Sequence, residues 1–260
     1  MIIIIILVML LIYVKISSMQ VIKADDYQGW VYKTNDALIA VDPWLTDCQK
    51  FPKNGFLLKR QADHEHILNK GINKNSVTHI ILTAHFSDHL DPDSFLLFDR
   101  NIPIFTTSHA KKILVKFGFS NITVVKRNVS YELGDAVIHV RPSGNPYHST
   151  SFSYICEDES GSLFHEAHVF NPNILEELKD RKLNLLILTG DLVKVFGLVK
   201  VSMSICEAKS IQDKLQTKYL AITGNLPSKF SGVIARFLYY KERVGDEVVV
   251  CSKPWQTINF

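Results

Sequence analysis

Residues 78–91, THIILTAHFSDHLD, constrain this chain more than any other stretch. The first half is a largely apolar run with no alternation, the pattern of a strand buried on both faces. Such a strand needs covering layers on both sides, so the chain is expected to build a sheet with helices outside it. The second half, HFSDHLD, places two histidines and two aspartates where that strand ends. Imidazole nitrogens and carboxylate oxygens are ligands for a Zn²⁺-type ion, which requires them to converge. A single histidine there reads equally well as a structural residue, such as a helix cap. Two histidines with Asp88 inside five residues point to a metal site.

The rest of the chain supplies the layers. MQVIKA, GWVYKT and ALIAVDPW read as a β-meander, with a hairpin turn at Asn35-Asp36. Residues 46–76 are polar and lysine-rich and carry Gly55 and Gly71, so they read as a long loop with a short helix. Asp91 and Pro92 form a cap and first helical position for DPDSFLLF. IPIFTT reads as a strand, and SHAKKILVKFGF as a helix capped by Ser108 and ending near Gly118. ITVVK, AVIHVRP, SFSYICE and SLFHE are further strands. The last third alternates strand and helix through LNLLILTG, SICEAKSIQDKLQ, YLAIT and GVIARFLYYK. Neither an internal repeat nor a low-complexity linker divides the chain, so a single domain over 19–260 is expected.

With 260 residues, 47% of them hydrophobic, the chain can bury a sizeable core. A net charge of +3 without a basic block interleaved with aromatics argues against nucleic-acid binding. Cys48, Cys156, Cys206 and Cys251 show no CxxC spacing and read as buried, reduced thiols of a cytoplasmic protein. The leader MIIIIILVMLLIYV has 14 apolar residues before Lys15, short for a bilayer span. It also lacks a positive n-region and a small-x-small cleavage site. A short membrane anchor through residues 1–14, an uncleaved signal-like segment, and an extension absent from the working protein are the three readings. The first strand pattern opens at Met19, so residues 1–18 are expected to lie outside the fold.

VDPWL at 41–45, THIILTAHFSDHLD at 78–91 and NPYHSTSFSYICEDESGSLFHEAH at 145–168 together resemble the metallo-β-lactamase-fold hydrolases. The likeness is strongest to the branch with His-x-His-x-Asp-His-Leu-Asp, which includes ascorbate-phosphate lactonase-like proteins and N-acylphosphatidylethanolamine phospholipase D. It extends over residues 20–240. The resemblance implies an αβ/βα four-layer sandwich, two mixed sheets face to face, with metal at one edge activating a water. It implies one or two zinc ions, or another divalent metal such as Mn²⁺, and a small-molecule substrate with an ester, lactone or phosphodiester bond.

Carried over residue by residue, His85, Asp88, His89 and His148 match metal ligands, Asp88 also orienting the attacking water; His148, alone before Ser-Thr, reads as a polar loop residue as well. Asp42 matches the aspartate that supports the metal loop; it also reads as a simple turn residue before Pro43. Ser87 stands where the motif has its second histidine, and serine is a poor zinc ligand. FHEAH at 164–168 replaces the usual Gly-Asp-Thr and offers Glu166 and His168 instead, while His165 alternates with Glu166 on the strand and reads equally well as solvent-facing. Gly224-Asn225 stands where a last metal histidine is expected, and Asp191 reads as a loop or substrate-side residue. Two outcomes follow: a hydrolase with a rearranged site, or a binding protein that kept the fold and lost the chemistry. A membrane-associated phospholipase-like hydrolase is a third reading, motivated by the apolar leader.

Overall fold

The computed structural model describes residues 18–224, 229–241, 249–251 and 253–260. The expected leader, apart from residue 18, lies outside the described residues, as does Asn225. Among the described residues no helix is long and apolar enough to cross a membrane. Met19 is fully buried, and its backbone exchanges hydrogen bonds with Phe260 at 3.0 and 3.2 Å.

Two seven-stranded sheets dominate. The first contains β1 (Gln20–Lys23), β2 (Trp30–Lys33), β3 (Leu38–Val41), β6 (His79–Leu82), β7 (Ile104–Thr106), β8 (Ile122–Val124) and β20 (Thr257–Asn259). Their order is β20-β1-β2-β3-β6-β7-β8, antiparallel through β3 and parallel from β3 to β8. The second contains β9 (Ser130–Leu133), β10 (Ala136–Pro142), β11 (Phe152–Glu157), β12 (Ser162–His165), β13 (Leu185–Thr189), β16 (Tyr219–Thr223) and β19 (Val249–Cys251). It runs β19-β16-β13-β12-β11-β10-β9, parallel from β19 to β12 and antiparallel beyond.

Period-two alternation builds the layers. Trp30, Tyr32, Ile39, Val41 and Ile81 face a core shared with Tyr154, Leu163, Leu185, Ile187 and Ala221 of the other sheet. Their sequence neighbours Val31, Ala40, Ile80 and Leu82 face outward, under α1 (Ile67–Lys70), α2 (Pro92–Phe95) and α3 (Ser108–Leu114). On the far side Phe164, Leu186, Leu188, Leu220 and Ile222 pack under α4 (Leu175–Lys179) and α5 (Ile205–Leu215). Each of the valines, leucines, isoleucines and phenylalanines among them contributes about 1.5–3 kcal/mol of hydrophobic stabilisation. The result is the expected αβ/βα sandwich of four layers.

Local signals account for most boundaries. Asp91 caps α2 by accepting from Ser94 N–H, with Pro92 at the first position. Ser204 and Glu207 form a reciprocal capping box on α5. α3 is capped by Thr107 rather than Ser108, and Gly118 closes its trailing turn at φ 86°.

Besides that cap, three expectations fail. Residues 46–76 hold not only a short helix but also the hairpin β4 (Cys48–Phe51) and β5 (Leu58–Gln61), extended by β17 (Lys229–Ser231). That hairpin buries a polar pair, Gln49 against Arg60, so no apolar alternation marks it. GVIARFLYYK is not a helix beyond the single turn Ile234–Phe237; it continues as β18 (Leu238–Lys241), in a third sheet with β14 (Leu192–Val195) and β15 (Val199–Lys200). Of the three cysteines whose side chains are described, all free, only Cys156 is buried, whereas Cys48 is half-buried and Cys206 is exposed.

Candidate functional site

The strand ends meet at one edge of the sandwich, where an isolated bridge between Ala84 and Ser151 ties the two sheets together. Asp42 ends β3 with φ 43°, in the left-handed region where aspartate is better tolerated than most residues. Its carboxylate accepts from Thr83 N–H at 2.8 Å, from Thr83 Oγ1 at 2.6 Å and from His89 Nδ1 at 2.8 Å. The aspartate thus holds the loop after β6 and orients the buried His89 ring.

These contacts settle the tautomers. A carboxylate only accepts, so the neutral His89 ring carries its hydrogen on Nδ1 and leaves Nε2 bare. Ser151 Oγ donates to the Thr83 carbonyl at 3.0 Å, so at 3.2 Å it accepts from His168 Nδ1 and leaves that Nε2 bare as well. Both Nε2 atoms are buried and make no hydrogen bond among the described residues. The two rings stack with centroids 4.6 Å apart. Asp88 Oδ2 lies 3.5 Å from His89 Nε2 and accepts from the Tyr27 hydroxyl at 3.5 Å. Two donors each about 2.1 Å from one tetrahedral ion would stand roughly 3.4 Å apart.

Glu166 lies nearby, bonded to the His168 backbone rather than to either ring. It is fully buried; Oε1 accepts from His168 N–H at 2.9 Å and from Ser143 Oγ at 3.2 Å, while Oε2 has no partner. Burial pushes its carboxyl up to about 8. Burial also drives His168 well below the usual imidazole range, helped by the neighbouring His89 and His165. Burial acts on His89 in the same downward sense, but the Asp88 and Asp42 carboxylates outweigh it and raise the ring above its ordinary value.

The remaining candidates go elsewhere. His85 is half-buried, stacked on His109 of α3 at 5.0 Å and on Phe86 at 4.4 Å, with Nδ1 unpartnered. Burial first and His109 second hold it below the ordinary imidazole value. His148 is not brought to the group. It is exposed, and Arg127 Nη1 donates to its Nε2 at 2.8 Å while Nη2 reaches its carbonyl. A guanidinium has only donors, so the lone pair a metal would need is taken. Tyr147, its neighbour in the chain, turns inward instead and lies 3.9 Å from the His168 ring. His165 does not face solvent; it is buried between the sheets, bound through Nδ1 to Tyr32 at 2.7 Å and Tyr154 at 2.9 Å. Asp191 is buried beyond β13, with its carbonyl accepting from Ser202.

A cavity of about 290 Å³ opens beside this group. Tyr27, Arg60, Ser87, Asp88, Tyr147 and His168 line it, together with an apolar set from the small sheets: Val193, Val195, Val201, Phe230 and Leu238. Sequence reading missed Tyr27, Arg60 and Tyr147. Tyr147 sits inside the quoted NPYHST stretch, but its inward turn is decided by the loop.

The donor chemistry and tautomers fit a divalent ion, but the set is not closed. Among the described residues no group of three or more His, Cys, Asp or Glu side chains is placed to hold a metal.

No family model matches the chain, and no curated protein matches it by sequence. Solved structures do match. The metallo-β-lactamase fold protein YhfI from Bacillus subtilis aligns over 94% of this chain and all of its own, at 15% identity and a TM-score of 0.64. The isothiocyanate hydrolase from Delia radicum gut bacteria aligns over 93% of this chain and 99% of its own, at 14% identity and 0.70. A diphosphatase of the PhnP family aligns over 94% and 97%, at 13% identity and 0.60. The fold is therefore the metallo-β-lactamase fold. At such identities the likeness establishes the architecture, and function has to be argued from the site.

Proposed function

Starting from that fold, we propose that the chain is a metal-dependent hydrolase acting on an ester, lactone or phosphodiester bond of a small molecule. Asp88, His89 and His168, with Glu166 nearby, are the donors that would have to draw together on a divalent ion, zinc or manganese, since they do not form a closed three-ligand group as they stand; the ion would supply an activated water at neutral pH. One observation carries this reading. Two stacked imidazoles, His89 and His168, each commit Nδ1 to a protein acceptor and keep a buried, unpartnered Nε2 beside an open cavity. Each unsatisfied buried polar atom costs about 1–3 kcal/mol, so such atoms gathered at one edge call for a ligand.

The chain's own residues have separable parts in this reading. Asp42 and Ser151 lock the two tautomers, as outer partners of metal-binding histidines do. Asp88, whose side chain is 30% exposed and lines the cavity, would orient a water there and take its proton. Tyr27 holds that carboxylate, and the rings of Phe86 and Tyr147 shield His168 from solvent.

A second reading, a binding protein that has lost catalysis, is favoured by Ser87, by the capture of His148 by Arg127, and by the open donor set. Elemental analysis of protein purified without chelators separates the two. The hydrolase reading expects close to one metal per chain, lost in Asp88→Asn and in His168→Ala. It also expects metal-dependent turnover on a panel of esters, lactones and phosphodiesters. Metal-free protein that takes up neither zinc nor manganese on titration overturns it in favour of the binding protein.

A further inference from the structure

Arg60 is the residue the proposed chemistry leaves without a task. It sits on β5, fully buried, and lines the same cavity as Asp88 and His168. Its guanidinium carbon lies 3.5 Å from the centroid of the Tyr27 ring and 4.7 Å from that of Trp44, and Nη2 donates to Gln49 Oε1. Among the described residues the other two nitrogens, Nε and Nη1, are buried with no carboxylate or carbonyl acceptor, the guanidinium's remaining polar neighbour being the Tyr27 hydroxyl, and the neighbouring Gln49 Nε2 is equally unpartnered. Among the described residues Arg60 forms no ion pair.

Burying an unpaired charge costs several kcal/mol, and aromatic faces return only about 2 kcal/mol each when desolvated. A stable core position would take an apolar residue or a carboxylate partner there. Arginine offers planar, permanently charged donors suited to carboxylate and phosphate oxygens. The wall of the cavity formed by the small sheets has the opposite character. Val193, Val195, Val201, Phe230 and Leu238 present hydrocarbon, and the turn beyond β14 continues it outward with Phe196 and Leu198, 65% and 85% exposed. Phe196 packs against Phe237 at 4.9 Å.

We infer that Arg60 is the anchor for an anionic group, carboxylate or phosphate, on a substrate whose apolar body lies along the β14–β18 wall. The inference deepens the hydrolase reading by naming the substrate class, an anionic amphiphile, and rests on that reading only for the word substrate. The anchor itself needs no metal. The aromatic pair keeps the guanidinium in place, the unpartnered nitrogens meet the anion, and the apolar wall selects against bare inorganic anions.

The test uses full-length protein in EDTA, so that no metal can bind the probes. Dissociation constants are measured by calorimetry for octyl phosphate, octanoate, 1-octanol and inorganic phosphate. At least one of the two anionic amphiphiles should bind ten-fold or more tighter than both 1-octanol and phosphate. Arg60→Met, which replaces the buried charge by a flexible apolar chain at the cost of the Gln49 hydrogen bond and is checked for folding by its thermal melt, should erase that advantage while still binding 1-octanol. Equal binding of charged and uncharged amphiphiles by the parent protein overturns the assignment without any variant, as does an advantage that survives in Arg60→Met. Preference for octyl phosphate over octanoate identifies a phosphate head, and the reverse a carboxylate. Should metal uptake fail while this binding holds, the chain binds anionic amphiphiles without hydrolysing them.

Discussion

Replacing Glu166 with glutamine should stabilise the protein at pH 8 and change it little at pH 5. The carboxyl is fully buried, one oxygen accepts two hydrogen bonds, and the other has no partner. Burial raises it from the ordinary 4.5 to about 8. Below about pH 4.5 both the folded and the unfolded chain carry the proton, so there is no penalty. Between there and about pH 8 the unfolded chain ionises while the folded chain does not, and stability falls as pH rises. At about 1.36 kcal/mol per pH unit, the penalty is about 1 kcal/mol at pH 5 and about 4 kcal/mol at pH 8. Glutamine is isosteric with the protonated acid, keeps the Oε1 acceptor and does not titrate. It removes the pH-dependent part alone. Urea unfolding of metal-free parent and Glu166→Gln at both pH values reads the difference directly. A gap of about 3 kcal/mol between the two pH values supports a protonated buried acid. A difference between parent and variant that is constant across this range refutes the reasoning, because it would place Glu166 in contact with water or a cation.

Asp42→Asn should cost about 2–3 kcal/mol, because the amide cannot accept from both Thr83 and His89 as the carboxylate does. His89 is raised in the folded state, so its stabilisation by Asp42 is fully present below about pH 6.5 and fades as pH rises through the folded value. Urea titrations at pH 6 and pH 9 should show the larger penalty at pH 6. Gly144→Ala should lower the melting temperature markedly, by about 3 kcal/mol or more of stability, since an added Cβ meets the Phe170 and Val169 carbonyl oxygens at 2.6 and 2.7 Å. Ser87→His alone should leave metal content unchanged while Arg127 holds His148, and the double variant with Arg127→Ala should raise it. Metal-to-protein ratios after dialysis read both, and an increase in the single variant contradicts the hold by Arg127.

The layered fold was legible because burial imposes a period on the sequence. A strand between two apolar cores must be apolar on both sides, which LIAV and HIIL display, and a helix end must satisfy its own backbone, which Asp91-Pro92 and Ser204 with Glu207 announce. The hairpin of β4 and β5 was illegible for the same reason. It buries glutamine against arginine instead of hydrocarbon, so no hydrophobic period marks it. The cluster at residues 85–91 was visible as chemistry, since several donors on one loop are rare without a purpose. Which donors share a space is a different matter. Residues far apart in the chain, Asp42, His89, Glu166 and His168, meet only because the ends of β3, β6 and β12 come to one edge of the sandwich. Adjacent residues part for a similarly non-local reason: Tyr147 stacks on His168 while His148 is drawn outward by Arg127. The strand pattern is written residue by residue in the amphipathic period, whereas the direction of each side chain at a strand end is set by partners distant in the chain. Tertiary structure alone therefore decided that Arg60, silent in the sequence, stands in the cavity beside Asp88 and His168.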